Sequence, residues 1–373
     1  MALSKIQTAE MLDASNLGRR NLIINGDMRI AQRGTSATGI GVTPAYNTVD
    51  RWRFADSNNP TARFTETQST DAPEGFGFSR KFEVTTEDGA TSDNEMQYTD
   101  QFIEAQNLQH LKYGTSNAES ITLSFYVKSS VASTMGVRFS HEDGGGNYGA
   151  SYTINSANTW ERKSITVPGN TATAINNDNG RGMSIRFGLN IGATYAGSNS
   201  TAWGNGNYFG AHTNTFVGTA NATWQITGVQ LEVGDTATDF EHRSYGEELR
   251  NCQRYFQIYP RTGGTLRWNV TYYNTQAYAT DQLLPMRALP TVTDIATGTS
   301  TASGFNLYAL DGDSMNSSTN EGNAPTLSSQ GLPENCVIVA NWTGITKPTG
   351  VANHPGGASY NGATPGIHCY SEL

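Results

Sequence analysis

Residues 121–128 read Ile121-Thr122-Leu123-Ser124-Phe125-Tyr126-Val127-Lys128, apolar side chains alternating with more polar ones. On an extended chain that alternation puts Ile121, Leu123, Phe125 and Val127 on one face and their neighbours on the other. Met135, Val137 and Phe139 repeat the pattern, as do Met183, Ile185, Phe187, Leu189 and Ile191. Trp224 and Ile226 lead past Gly228 into Val229, Leu231 and Val233, and the broken alternation at Gly228 predicts a β-bulge. Strands with one apolar face need a second sheet to cover it. Turn-forming residues cluster between these segments, at Glu142 to Asn147, Asn176 to Gly180 and Gly204 to Asn207. Residues 21–243 are therefore expected to form an antiparallel β-sandwich of jelly-roll type in a mainly β chain.

Composition agrees. The 373 residues include 40 glycines, only 15% are charged, and 10% are aromatic. That is turn chemistry with enough apolar surface for a core, in a length that predicts two domains. The net charge of −9 argues against nucleic acid as a partner, which would require clustered Lys and Arg. No apolar run approaches the roughly 18 residues a membrane helix needs, so no membrane insertion is expected. The start, MALSKIQTAEMLD, has no apolar signal core, and synthesis in the cytoplasm without a signal peptide is expected. Cys252, Cys336 and Cys369 are odd in number and widely spaced, which predicts free, partly buried thiols rather than disulfides or a zinc site.

Outside the sandwich the pattern changes. Residues 1–20 suggest an N-terminal helical arm with a Ser4/Gln7 capping box, too short to stand alone and so suited to docking or oligomerisation. Residues 244–256 predict a linker helix: Ser244 and Glu247 form a second capping box, and Leu249, Cys252 and Phe256 recur on one face. Residues 257–373 predict a second, smaller β-sandwich, with strands at Thr265 to Ala279, Phe305 to Leu310 and Val337 to Val339. Asp311 to Asn323 and the tail from Pro348 to Gly366 are expected to be turns.

Two blocks carry a family resemblance. One is Asn21 to Thr35, N-L-I-I-N-G-D-M-R-I-A-Q-R-G-T, followed by Asp50-Arg51-Trp52. The other is Gly228 to Arg243, G-V-Q-L-E-V-G-D-T-A-T-D-F-E-H-R, with Glu248 to Tyr255, E-L-R-N-C-Q-R-Y. In sequence, order and separation these resemble phage and prophage tail-appendage proteins; Asp239 departs from the pattern, where proline often precedes Phe-Glu. Met286 to Thr291 also looks like the opening of that family's C-terminal part. The resemblance implies a virion protein, a tail fibre or tail-tip protein that attaches the particle to host-surface carbohydrate. It further implies a homotrimer, joined to other tail proteins through the N-terminal arm, with residues 257–373 distal. The jelly-roll shape also resembles carbohydrate-binding modules, a likeness of fold rather than function. The alternatives are a structural tail adaptor or capsid decoration protein without receptor contact, and a polysaccharide depolymerase.

Candidate ligand platforms are the aromatic side chains of a Gly/Asn/Ser-rich loop, Tyr195, Trp203, Tyr208 and Phe209, which either stack on sugar rings or cover a sheet edge. In the second domain Trp342, His354, Tyr360 and Tyr370 are candidates for a receptor surface. Enzyme motifs are absent. Gly144 to Gly149 matches G-x-G-x-x-G but precedes a strand instead of a helix, so it reads as a loop. Asp311, Asp313, Ser314 and Asn316 lack the full ligand spacing of a calcium loop, and His141-Glu142-Asp143 reads as a solvated hairpin tip. The expectation is a binding protein with no cofactor, metal or catalytic residues.

Overall fold

The computed structural model describes residues 19–206, 208–259, 266–273, 276–294, 305–311, 314–319, 326–332, 337–343, 355–360 and 367–372. The chain divides into two units between Glu248 and Leu249.

The first unit is a sandwich of antiparallel sheets. Its strands are β1 (Ser36–Ile40), β2 (Arg53–Ser57), β3 (Arg63–Ser69), β4 (Ser79–Thr86), β5 (Met96–Glu104), β6 (Ile121–Ser129), β7 (Ser133–His141), β8 (Gly146–Ile154), β9 (Glu161–Val167), β10 (Arg181–Ile191) and β11 (Thr223–Val233). One sheet has the order β1-β3-β4-β11-β6-β9, the other β2-β5-β10-β7-β8. The inward faces are those of the alternating pattern: Ile121, Leu123, Phe125 and Val127 from β6 meet Met183, Ile185, Phe187 and Leu189 from β10 in one buried cluster. Phe125 lies edge-on to Phe187 with ring centroids 5.1 Å apart. Trp52 and Trp224 are fully buried in the same core.

Two of the strands with register slips show why alternation alone is not enough. In β11 the register slips between Thr227 and Gln230, and Gly228 takes φ +60 there, as its position predicts. A Cβ at Gly228 would also stand 2.7 Å from the Phe76 ring. In β10 a second slip lies between Gly188 and Asn190. It moves Ile191 out of the main core into a separate cluster with Ala55, Met96, Tyr98 and Phe209, so Ile191 does not continue the inward row. Val233, expected inward, is exposed at the strand end.

The two motif blocks meet in a polar latch. Glu241 accepts hydrogen bonds from the backbone N–H groups of Arg19 (2.6 Å), Arg20 (3.2 Å) and Asn21 (2.9 Å). Arg243 donates to the carbonyls of Ile23 (3.2 Å) and Asn21 and pairs with Glu241 (3.1 Å) and Glu248 (3.5 Å). The Asn21 side chain donates to Val229 O and accepts from Leu231 N, which ties the entering chain to β11. Asn25, at φ +58, spans the carbonyls of Ile30 and Asp50 with its amide, and its own carbonyl accepts from the Trp52 indole. These residues therefore close the sandwich. Arg19 and Arg20 are held largely through their backbone N–H groups; the Arg20 guanidinium adds one bond, to Asp239 O at 3.1 Å.

A helix, α1 (Tyr245–Gln253), follows, and the Ser244 hydroxyl accepts from the Glu247 N–H at 3.3 Å as a capping box requires. It ends before Phe256, which opens β12 (Phe256–Tyr259), so Phe256 is not on the helix face.

The second unit is also built of antiparallel sheets. β13 (Leu266–Tyr273), β14 (Gln276–Gln282), β15 (Thr291–Asp294), β16 (Phe305–Asp311), β17 (Ser314–Thr319), β18 (Thr326–Gln330), β19 (Val337–Thr343), β20 (Pro355–Tyr360) and β21 (Ile367–Tyr370) join β12 in it. They form sheets of order β12-β21-β15 and β17-β16-β20-β13-β14-β19-β18. β17 and β20 occupy segments expected to be turns. Backbone pairing does not need apolar side chains, and Pro355 is tolerated because it is the first residue of its strand. Thr265 to Ala279, expected as one strand, is the paired β13 and β14. Cys252 and Cys369 are buried and not joined in a disulfide; Cys336 and the N-terminal arm through residue 18 lie outside the described residues.

Candidate functional site

The outward positions of the five-stranded sheet form a polar row. Arg53 of β2 stands opposite Asp100 of β5, Asp100 opposite Arg186 of β10, Arg186 opposite Arg138 of β7, and Arg138 opposite Gly149 of β8. The three arginines are the outward complements of inward apolar neighbours, so the alternation that builds the core also places them, whereas Asp100 lies between the polar Thr99 and Gln101. Arg53 grips Asp100 through two bonds, 3.0 and 2.7 Å. Burial works against the Arg53 cation, but the Asp100 bond and charge outweigh it and push its pKa up. Arg186 lies 3.9 Å from Asp100 and 2.9 Å from Glu142, which also accepts from Ser184 at 2.5 Å. Arg53 and Arg181 cover the Phe102 ring at 4.7 and 4.1 Å, and Arg186 lies over Tyr98 at 5.4 Å.

The aromatic loop folds back onto this face. Gly136 and Gly149 leave it room: a Cβ at Gly136 would stand 2.1 Å from Phe209 O, and one at Gly149 2.8 Å from Tyr208 O. The Gly136 N–H donates to His212 Nδ1 at 3.0 Å, which requires a neutral imidazole, and burial pulls that imidazole down to about 4.

The candidate platforms separate accordingly. Phe209 is fully buried with its ring 5.7 Å from Tyr98, so it anchors the loop and is not available for stacking. Tyr195 packs half-buried beside the same cluster. Trp203 is half-buried too; its indole donates to Pro168 O at 2.6 Å and its ring meets Tyr113 and Tyr148 at 5.9 Å. Tyr208 alone of the four is open, at 50% exposure. It borders a cleft of about 210 Å³ lined also by Asn147, Gly149, Ser200, Gly204 and Gly206. Asn147 and Gly149 pair in register with Ser140 and Arg138, so the cleft continues onto the polar row.

His141-Glu142-Asp143 is not a solvated tip. His141 is buried and stacked on Tyr113 at 5.9 Å, Glu142 joins the row through Arg186, and Asp143 accepts from Asn176. Gly146 to Gly149 belongs to β8 and not to a loop. In the second unit Trp342 lies in β19 opposite Ala277, Tyr360 ends β20 opposite Leu266 and Phe305, and Tyr370 is partly exposed; His354 lies outside the described residues. Of the calcium candidates, Asp313 also lies outside them, and Asp311 and Ser314 pair across β16 and β17. Among the described residues no cluster of His, Cys, Asp or Glu could hold a metal ion, and no helix is long and apolar enough to cross a membrane.

No protein-family model and no curated protein matches the chain. Among solved structures, the enzymatically active domain of bacteriophage CBA120 tailspike protein 4 is similar over 57% of this chain and 21% of its own, at 12% identity and TM-score 0.31. The match thus spans about a fifth of the tailspike chain. A family 11 carbohydrate-binding module from Clostridium thermocellum, in complex with a β-1,3-1,4-mixed-linked tetrasaccharide, is similar over 55% of this chain and 99% of its own, at 13% identity and TM-score 0.26. The TmCBM61 structure in complex with β-1,4-galactotriose is similar over 57% and 99%, at 10% identity and TM-score 0.28.

Proposed function

We propose that this chain is a phage tail-appendage protein that attaches the particle to host-surface glycan, and that the outer face of its five-stranded sheet is the saccharide surface. The carrying observation is the open Tyr208 ring beside a cleft floored by Asn147 and Gly149 that runs onto the arginine row. An aromatic face beside planar hydrogen-bonding groups suits sugar recognition, one for the apolar ring face and the other for hydroxyls. The motif blocks support the virion assignment. Homotrimeric assembly would multiply weak contacts to a repeated glycan, and the N-terminal arm would join the trimer to other tail proteins.

Binding is favoured over hydrolysis by the state of the carboxylates on this face. Asp100 is fully buried with both oxygens held by Arg53, and Glu142 is held by Arg186 and Ser184. A hydrolase needs a carboxyl pair free to exchange protons with substrate.

The test is adsorption of labelled full-length protein to candidate host cells. Saturable binding that purified surface polysaccharide competes away, and that Tyr208→Ala weakens about tenfold or more, is expected from loss of a stacking ring. An adaptor without receptor contact would show no saturable binding, and a depolymerase would shorten the polysaccharide.

A further inference from the structure

The charges on the outer face do not balance. Arg53 and Arg186 are each paired with a carboxylate, but Arg138 is not. Its Nε and Nη2 both donate to Asn147 Oδ1, at 2.9 and 2.6 Å, and no carboxylate comes within ion-pair distance of it among the described residues. Arg138 is nevertheless only 7% exposed and stands directly across from Arg186, a second cation. Two residues along the same strand face, Ser140 is 3% exposed and its hydroxyl has no hydrogen-bond partner. A guanidinium with no counter-ion beside an orphaned hydroxyl is costly in a free protein. Each lies one residue behind the lining of the Tyr208 cleft: Arg138 is the register partner of Gly149 and bonds the Asn147 side chain, and Ser140 is the register partner of Asn147. The cost is recovered if a bound group supplies an anion that accepts from both.

We propose that the saccharide bound at the Tyr208 cleft carries an oxyanion, as a sugar carboxylate or sugar phosphate does, and that Arg138 and Ser140 receive it. The proposal rests on the glycan-binding reading above and names the ligand class for that site. Tyr208 takes the sugar ring, and the planar Arg138 fork takes the anion next to it. Burial, and then the neighbouring Arg186 charge, pull Arg138 down to about 10, partly offset by Glu142 and Tyr98, which leaves it a cation at neutral pH. The site would be a local basic patch on a chain whose net charge is −9, which disfavours indiscriminate anion binding elsewhere.

The experiment presents full-length protein with a panel of uronate-, sialate- and phosphate-bearing oligosaccharides, each paired with its esterified or dephosphorylated neutral form. The expected result is binding to at least one acidic member, loss with its neutral partner, and about a tenfold to hundredfold loss in Arg138→Gln, with Arg138→Lys between. Which member binds separates carboxylate from phosphate. The ligand-free Arg138→Gln protein should also melt at a higher temperature than the parent, because an uncompensated buried charge has gone. Equal binding of acidic and neutral forms would overturn the anion proposal and leave the glycan reading standing; binding to no member would overturn both. A lower melting temperature for Arg138→Gln would show a structural arginine and overturn the proposal independently.

Discussion

Replacing Glu241 by alanine tests the latch that joins the two motif blocks. Its carboxylate is 12% exposed and accepts from three consecutive backbone N–H groups, those of Arg19, Arg20 and Asn21. A hydrogen bond to a charged group contributes about 1.5 to 3 kcal/mol net. The exposed Arg19 amide can rehydrate, so the loss from Arg20 and Asn21 should total about 3 to 6 kcal/mol. Glu241→Gln keeps the Oε1 acceptor but turns a donor toward the Asn21 amide, and should cost about half as much. Urea unfolding of the full chain, following the transition of the unit that holds the buried Trp52 and Trp224, gives the order parent, Gln, Ala. pH adds a second reading. Burial pushes the Glu241 carboxyl up, but the Asn21 and Arg19 amides, the Arg243 guanidinium and the Arg20 amide outweigh it and hold the group below the usual range. A depressed folded-state pKa means stability that is present above the unfolded value near 4.3 and lost as pH falls through the folded one. Parent and Ala variant should therefore converge in acid. A Glu241→Ala protein within about 0.5 kcal/mol of the parent at neutral pH would refute the latch.

Three further outcomes follow from the same geometry. Arg80 and Glu66 form a fully buried pair at 3.0 Å, so Arg80→Met alone should cost about 3 to 5 kcal/mol, while adding Glu66→Met should restore most of it; additive losses would contradict the pairing. Gly136→Ala would drive a Cβ into Phe209 O, and should lower stability by about 1 to 3 kcal/mol and weaken glycan adsorption, whereas an unchanged protein would show that the loop does not seat there. The His212 imidazole, pulled down to about 4, favours folding fully above its unfolded value near 6.5 and loses that contribution as pH falls toward the folded one. Amide protection factors across residues 192–206 and 208–214, corrected for the intrinsic pH dependence of exchange, should accordingly fall as pH drops between those values, and His212→Gln should remove that dependence.

The core was legible wherever one face of a strand is apolar and the other polar. β6, β7 and most of β10 and β11 could be read directly, and the glycine at the β11 bulge broke the alternation visibly. β5 could not, because all nine of its residues, Met96 to Glu104, are buried with polar side chains on both faces. Thr99 and Gln101 turn to buried partners while Asp100 and Tyr98 face the outer surface. Tyr208 and Phe209 illustrate the limit for the site. They are neighbours of the same class with opposite fates, decided by the recess that Gly136 leaves in a strand more than seventy residues away. The arginine row carried a signal that could have been used: Ser184 and Arg186 are the polar complement of Met183, Ile185 and Phe187. What sequence alone does not supply is register, and register is what aligns Arg53, Asp100, Arg186 and Arg138 across strands.

The most direct test of the account is hydrogen–deuterium exchange on the full-length protein with and without purified host-surface polysaccharide. Protection concentrated in Asn147 to Ser151 and Ser200 to Gly206, absent in Tyr208→Ala, is the result predicted for a saccharide seated at the cleft. Protection confined to other surfaces while those two segments exchange unchanged would contradict it.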